Sequence, residues 1–119
     1  MNTIKNYLLF IFFMASLSAC TKAIIDENAV QPTPIDRTIS YKSDVQVIMY
    51  NHCITCHSGA APLADLDLSN YDNVRFSAEN GTLLQRIQDT ENPMPPSGLL
   101  SDENRQILEK WATDGFLDE

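Results

Sequence analysis

The feature that most constrains this chain is the pentapeptide Cys53-Ile54-Thr55-Cys56-His57, which brings two thiols and one imidazole into a short segment. Residues three and four positions apart share one face of a helix, so this spacing directs both sulfurs and the imidazole to the same side of the backbone. Such a pattern is the attachment signal for a c-type haem. It predicts thioether bonds from Cys53 and Cys56 to the two vinyl groups of one porphyrin, with His57 as an axial ligand of the iron.

Two other interpretations of the pentapeptide remain open. A redox-active dithiol of the thioredoxin kind should begin a helix that follows a strand, and no strand pattern precedes Cys53. A zinc site needs four ligands, and the other candidates are His52 and distant acidic residues, because a second cysteine pair is absent. The spacing therefore favours haem over both alternatives.

The N-terminus has the pattern of an export signal. Lys5 precedes an apolar run over residues 7–14 that is too short to span a bilayer comfortably, and small residues follow it. Leu17-Ser18-Ala19-Cys20 resembles a bacterial lipobox, which predicts a lipoprotein signal peptide over residues 1–19 and lipidation of Cys20. The alternative is cleavage nearby, with Cys20 an ordinary residue of a secreted protein.

The cysteine count supports lipidation. The chain has three cysteines, so one stays unpaired under any disulfide scheme, and an unpaired thiol in an oxidising compartment needs an explanation. Assigning Cys20 to lipid and both cysteines of the pentapeptide to haem uses all of them.

The composition divides the mature chain into a tether and a domain. Residues 20–40 are mostly polar and contain Gln31-Pro32-Thr33-Pro34, whose prolines favour extended backbone. They predict a lipid anchor and flexible linker. Residues 41–119 then form the folded domain, which is small enough to need a stabilising cofactor.

Helical patterns fill this domain, and no segment alternates as a strand would. Ser43 is the predicted cap of a first helix that runs into the pentapeptide, and Ser69 is the predicted cap of a second. Asn80-Gly81 predicts a turn before a short helix. The last helix is expected to start at Ser101 and stop at Gly115. The predicted apolar stripes of this all-α domain contain Val45, Ile48, Met49, Leu83, Leu84, Ile87, Ile107, Leu108 and Trp111. Of these, Leu83, Leu84, Ile87, Leu108 and Trp111 are candidates for either the haem pocket or the core between helices.

Met94 is the candidate for the sixth iron ligand. Electron-transfer haems take Met or His opposite the first histidine, and Met94 lies in Asn92-Pro93-Met94-Pro95-Pro96, where the prolines limit backbone freedom. Its alternative role is to cover the core from a loop. Met49 lies on the apolar stripe of the first helix, so we expect it in the core. His52 directly precedes the motif, so we expect it to be a surface or structural residue.

The acidic composition restricts the partners. The formal net charge is −8, and removal of Lys5 with the signal peptide makes it −9. Such a surface repels nucleic acid and anionic lipid, so the acyl chains at Cys20 would have to hold the protein on a membrane. The charge favours redox partners with a basic or neutral docking face.

The chain resembles the class I cytochrome c fold, and especially the short monohaem domains of the Planctomycete and Bacteroidetes type. The resemblance spans residues 41–119 and rests on Asn51-His52-Cys53-Ile54-Thr55-Cys56-His57-Ser58, Leu66-Asp67-Leu68-Ser69-Asn70-Tyr71, Pro93-Met94-Pro95-Pro96-Ser97-Gly98, and Leu100-Ser101-Asp102-Glu103 leading to Lys110-Trp111.

The resemblance implies three to five short helices around one covalently bound haem, with the first and last helices packed across each other. It implies covalent attachment by Cys53 and Cys56 and iron ligation by His57 and Met94. It also implies that Pro62 and Leu63 wrap the porphyrin edge, and that a backbone carbonyl near Pro62 accepts the Nδ1 hydrogen of the histidine.

The expected function is one-electron transfer by an electron carrier that is not itself an enzyme. Its expected location is a bacterial membrane surface facing the periplasm or the cell exterior. Two alternatives are a haem-based module that binds or senses a small ligand, and a cytochrome subunit of a membrane-attached oxidoreductase complex.

Overall fold

The computed structural model describes residues 33–119, so the predicted signal peptide and Cys20 lie outside the described residues. The helical elements in chain order are a π-helical turn (Tyr41–Val45), α1 (Gln46–His52), a 3-10 turn (Leu63–Asp65), α2 (Tyr71–Glu79), α3 (Leu83–Arg86) and α4 (Asp102–Thr113). Within this part of the chain there is no strand, which confirms the all-α prediction. None of its helices combines the length and the apolar character needed to cross a membrane.

The first helical segment begins earlier than predicted. The Ser40 hydroxyl accepts a hydrogen bond from the Ser43 N–H at 3.4 Å, and the Asp44 carboxylate accepts one from the Ser40 N–H at 3.1 Å. Ser40 is therefore the cap, and the prediction of Ser43 was wrong. Both serines are suitable caps by residue type, but Ser40 is the one whose N–H is also bound by the Asp44 carboxylate.

The packed core also begins before the predicted boundary at residue 41. Ile39 has no exposed surface, and Ile35 packs partly against the core. The Ile39 N–H donates a 2.8 Å hydrogen bond to the carboxylate of Asp114, at the end of α4. The last residues of the predicted linker, which spans residues 20–40, are thus held by the domain.

The last helix follows its prediction. The Ser101 hydroxyl accepts the Asn104 N–H at 3.2 Å, and Gly115 adopts the left-handed conformation (φ +90°) that ends the helix. Leu108 and Trp111 on its inner face have no exposed surface. Local sequence signals therefore set both ends of α4.

An aromatic cluster joins the two ends of the domain. The ring centroid of Trp111 lies 5.0 Å from that of Phe116, 6.0 Å from Tyr41 and 6.3 Å from Tyr71. The Leu117 carbonyl accepts hydrogen bonds from the indole N–H of Trp111 and from the Tyr41 N–H, both at 2.8 Å. The expected packing of the first helical segment against the last helix is confirmed.

The middle helices differ from prediction at one cap. Asn70 caps α2 by accepting the Asn73 N–H at 3.0 Å, whereas the N–H of Ser69 bonds to the Asp67 carboxylate at 2.9 Å. The prediction of Ser69 as the cap was therefore wrong, because Ser69 belongs to a turn in which its N–H is bound by the Asp67 side chain.

The turn at Asn80-Gly81 and the short helix after it are as predicted. Leu83 and Ile87 are buried and Leu84 is half-buried, so this helix contributes to the same core as α4.

Candidate functional site

The pentapeptide forms one further helical turn beyond the end of α1. The Cys53 N–H donates to the Met49 carbonyl at 2.9 Å, and the N–H groups of Cys56 and His57 both donate to the Cys53 carbonyl, at 3.2 and 3.0 Å. Cys53 is half-buried, Cys56 is exposed, and both thiols are free. The two thiols and the imidazole therefore belong to a single turn, as the spacing predicts.

A backbone carbonyl fixes the orientation of the His57 imidazole. Its Nδ1 atom lies 3.1 Å from the carbonyl oxygen of Leu63, which follows Pro62. Because a carbonyl can only accept, we assign the hydrogen to Nδ1, which leaves the Nε2 lone pair free to bind a metal. This confirms the expected bond from the histidine to a carbonyl near Pro62.

The loop after the motif is attached to it at further points. The Leu63 N–H donates to the Cys56 carbonyl at 2.9 Å, and the Leu68 N–H donates to the His57 carbonyl at 2.7 Å. Ala64 and Asp65 adopt left-handed conformations, with φ of 58° and 53°, which turn the chain back between these two contacts. The carbonyl that orients the imidazole is thus part of a closely held loop.

The surroundings of the thiols argue against the two other interpretations. Burial raises the pKa of the Cys53 thiol to about 11, whereas a dithiol enzyme needs a thiol whose pKa is lowered. No strand precedes Cys53 in the described part of the chain. A zinc site also lacks support, since residues 33–119 contain no group of three His, Cys, Asp or Glu side chains placed to hold a metal.

Large apolar side chains next to the motif are exposed. Val47 and Tyr50, three residues apart on the helix that leads to Cys53, are 55% and 70% exposed, and Leu63 is 61% exposed. These side chains are available to pack against a cofactor held by the motif. A covalently attached porphyrin therefore fits this site, which offers two free thiols, an imidazole whose Nδ1 is hydrogen-bonded, and exposed apolar side chains. The wrapping of the porphyrin edge by Pro62 and Leu63 stays a prediction.

The other predicted site residues lie apart from this turn in sequence. Met94 is half-buried in the loop between α3 and α4, and its N–H donates to the Arg86 carbonyl at 3.3 Å. That bond attaches the loop to α3 and not to the motif, so ligation of one iron by Met94 and His57 stays a prediction. Met49 is in the core, at 2% exposed, and His52 is on the surface, as expected.

One polar side chain in the Met94 loop, that of Asp89, was not predicted from the sequence. The Asp89 carboxylate accepts the N–H groups of Glu91 and Asn92, both at 2.9 Å, and pairs with the Arg86 guanidinium, also at 2.9 Å. The hydrogen bonds from Asn92 and Glu91 lower the pKa of Asp89 below its ordinary value. The signal that could have predicted this turn is the type of residue at position 89, because an aspartate commonly accepts the N–H groups two and three residues after it.

An all-α domain in which a Cys-x-x-Cys-His turn presents two free thiols and an oriented imidazole has the features of a c-type cytochrome. Residues 53–98 match the family model described as Planctomycete cytochrome C. The match covers less than half of the chain, and it includes the pentapeptide and Met94. Neither the curated proteins nor the solved structures give a match.

The match supports a cytochrome c domain of the Planctomycete type over residues 53–98, and the cytochrome c family implies covalently bound haem c as the cofactor. This assigns the domain to haem-based electron transfer and makes it an electron carrier by class. The predicted family, all-α fold and cofactor are confirmed.

Proposed function

We propose that this protein is a lipid-anchored monohaem cytochrome that transfers single electrons outside the cytoplasm. In this proposal Cys53 and Cys56 would hold the haem through thioethers, and His57 and Met94 would bind its iron. The haem supplies the one-electron couple. The observation that carries the proposal is the 3.1 Å contact between the His57 Nδ1 and the Leu63 carbonyl, which prepares the imidazole for iron.

Each residue has a separate task. The Leu63 carbonyl makes the His57 imidazole a more basic ligand and holds its ring plane. The Met94 thioether raises the reduction potential relative to a second imidazole. Two protein ligands, His57 and Met94, would remain bound in both oxidation states of the iron, which would suit repeated electron transfer.

The charge distribution supports a basic or neutral redox partner. Asp65 and Asp72, both exposed in the segment after the motif, make no ion pair within residues 33–119. The cations are already neutralised, because every Lys and Arg of this part of the chain pairs with a carboxylate: Arg37, Lys42, Arg75, Arg86, Arg105 and Lys110. A positive partner surface would be attracted to the carboxylates of Asp65 and Asp72 at low salt.

The ligation is tested by a matched pair of methionine variants. Met94→Leu should abolish the ferric sulfur-to-iron charge-transfer band and lower the midpoint potential, whereas Met49→Leu, in the core, should keep both. Leucine conserves volume, so the comparison isolates the loss of sulfur. An unchanged band in Met94→Leu removes Met94 from the iron. Rapid carbon monoxide binding by the unmodified reduced protein would favour the ligand-sensing alternative instead.

The anchor is tested by mass spectrometry of the mature N-terminus. We expect a chain that begins at Cys20 and carries acyl groups on it, in the membrane fraction. A Cys20→Ser variant should be exported without lipid and should leave the membrane. An unmodified Cys20 in the wild-type protein would contradict this part of the proposal.

A further inference from the structure

The side chain of Asp89 is the centre of the loop that carries Met94. One carboxylate oxygen accepts the N–H groups of Glu91 and Asn92, each at 2.9 Å, and the other receives the Arg86 guanidinium at 2.9 Å. The carboxylate is about one third exposed, with 30% of the side-chain surface accessible. It therefore joins the end of α3 to the first residues of the loop.

Arg86 connects this cluster to Met94 in a second way. While its guanidinium pairs with Asp89, its backbone carbonyl accepts the Met94 N–H at 3.3 Å. Arg86 thus contacts Met94 through its backbone carbonyl and Asp89 through its guanidinium. The Asp89 carboxylate also binds the backbone of residues 91 and 92, which lie between them. Displacement of the backbone at Met94 has to break its hydrogen bond to the Arg86 carbonyl, and displacement of residues 91 and 92 has to break their bonds to Asp89.

We propose that Asp89 is a positioning residue for Met94 and sets how readily the methionine sulfur leaves the iron. The inference rests on the proposed ligation by Met94. An external ligand can bind the iron only in molecules whose Met94 has moved away, so its apparent affinity is scaled by that open fraction. By holding the loop closed, Asp89 keeps the protein an electron carrier instead of a ligand-binding haem protein.

Imidazole binding to the ferric, haem-loaded full chain measures the open fraction. Asp89→Ala removes all three contacts and should raise the apparent affinity for imidazole by about tenfold, which corresponds to about 1.4 kcal/mol. Asp89→Asn keeps a side-chain oxygen for the two N–H groups but loses the charge that pairs with Arg86, so its increase should be smaller. Arg86→Gln, which breaks the same ion pair, should match Asp89→Asn.

Asp102→Ala is the matched control, because it removes another Asp–Arg pair three residues apart, with Arg105 on α4. It should leave imidazole affinity unchanged. If the wild-type protein shows the sulfur-to-iron band and Asp89→Ala binds imidazole no more tightly than wild type, Asp89 does not position Met94. Should Asp89→Ala not fold, wild-type affinity in both Asp89→Asn and Arg86→Gln would overturn the proposal. Absence of the band from the wild type would instead refute the ligation itself.

Discussion

Replacement of Trp111 by Phe should lower the free energy of unfolding by about 2–3 kcal/mol. Part of this cost is the loss of the 2.8 Å hydrogen bond from the indole N–H to the Leu117 carbonyl, worth about 1 kcal/mol. That carbonyl also accepts the Tyr41 N–H at 2.8 Å. Because it keeps this partner, the larger penalty for an unsatisfied buried acceptor does not apply.

The rest of the cost comes from packing. Trp111 has no exposed surface, and its ring is surrounded by those of Tyr41, Tyr71 and Phe116 at centroid separations of 5.0–6.3 Å. A phenyl ring leaves part of the indole volume empty, at about 1–2 kcal/mol, whereas complete truncation to Ala costs about 3–5 kcal/mol. The two contributions give the stated range.

Urea denaturation of the haem-loaded full chain at neutral pH, followed by far-ultraviolet circular dichroism, measures this difference. Phe76→Leu is the control, because Phe76 is 68% exposed on α2 and should change stability by no more than about 0.5 kcal/mol. If Trp111→Phe costs no more than the control, the aromatic cluster does not hold the first helical segment against α4.

Three further outcomes follow from named contacts. The Arg37 guanidinium and then the Ser40 N–H lower the pKa of Asp44 in the folded state, so its stabilisation is present above the unfolded pKa of about 3.9 and disappears as pH falls through the folded value. Asp44→Asn should therefore be less stable than wild type in urea at neutral pH, with a difference that shrinks below about pH 4; a constant difference would contradict this. Ile39→Ala should cost about 2–5 kcal/mol in the same assay, whereas a cost near zero would put the domain start at residue 41. Cys56→Ala should leave a haem held by one thioether, visible as a shifted reduced α-band; an unchanged spectrum would exclude that bond.

The features that sequence predicts well here are those whose causes are close in the chain. The pentapeptide needs only the spacing of one helical turn, and both ends of α4 depend on Ser101 and Gly115, each next to the helix that it ends. The all-α class follows from the same local patterns. The carbonyl that orients His57 was expected from the resemblance to class I cytochromes c, and no local pattern of the sequence predicts it.

The features that sequence missed depend on distant partners or on a choice between equivalent residues. Ile39 is buried in the core, and Asp114, 75 residues later, accepts its N–H; no pattern within residues 20–40 shows this. Ser40 and Ser43 are equally good caps until the position of Asp44 is known. The proposed binding of iron by Met94 depends on where the haem lies, which the sequence does not show. The sequence shows only that prolines flank Met94 and limit its backbone.

Covalent attachment of the haem through Cys53 and Cys56 is tested most directly by acid–acetone extraction followed by mass spectrometry of the haem peptide. Protein expressed with a haem-maturation system should keep its haem through extraction, and one peptide should carry a single haem on both cysteines. A Cys53→Ala, Cys56→Ala double variant should release any haem that it binds. Haem that is extracted from the wild-type protein, or a wild-type peptide with both thiols free, would contradict the assignment.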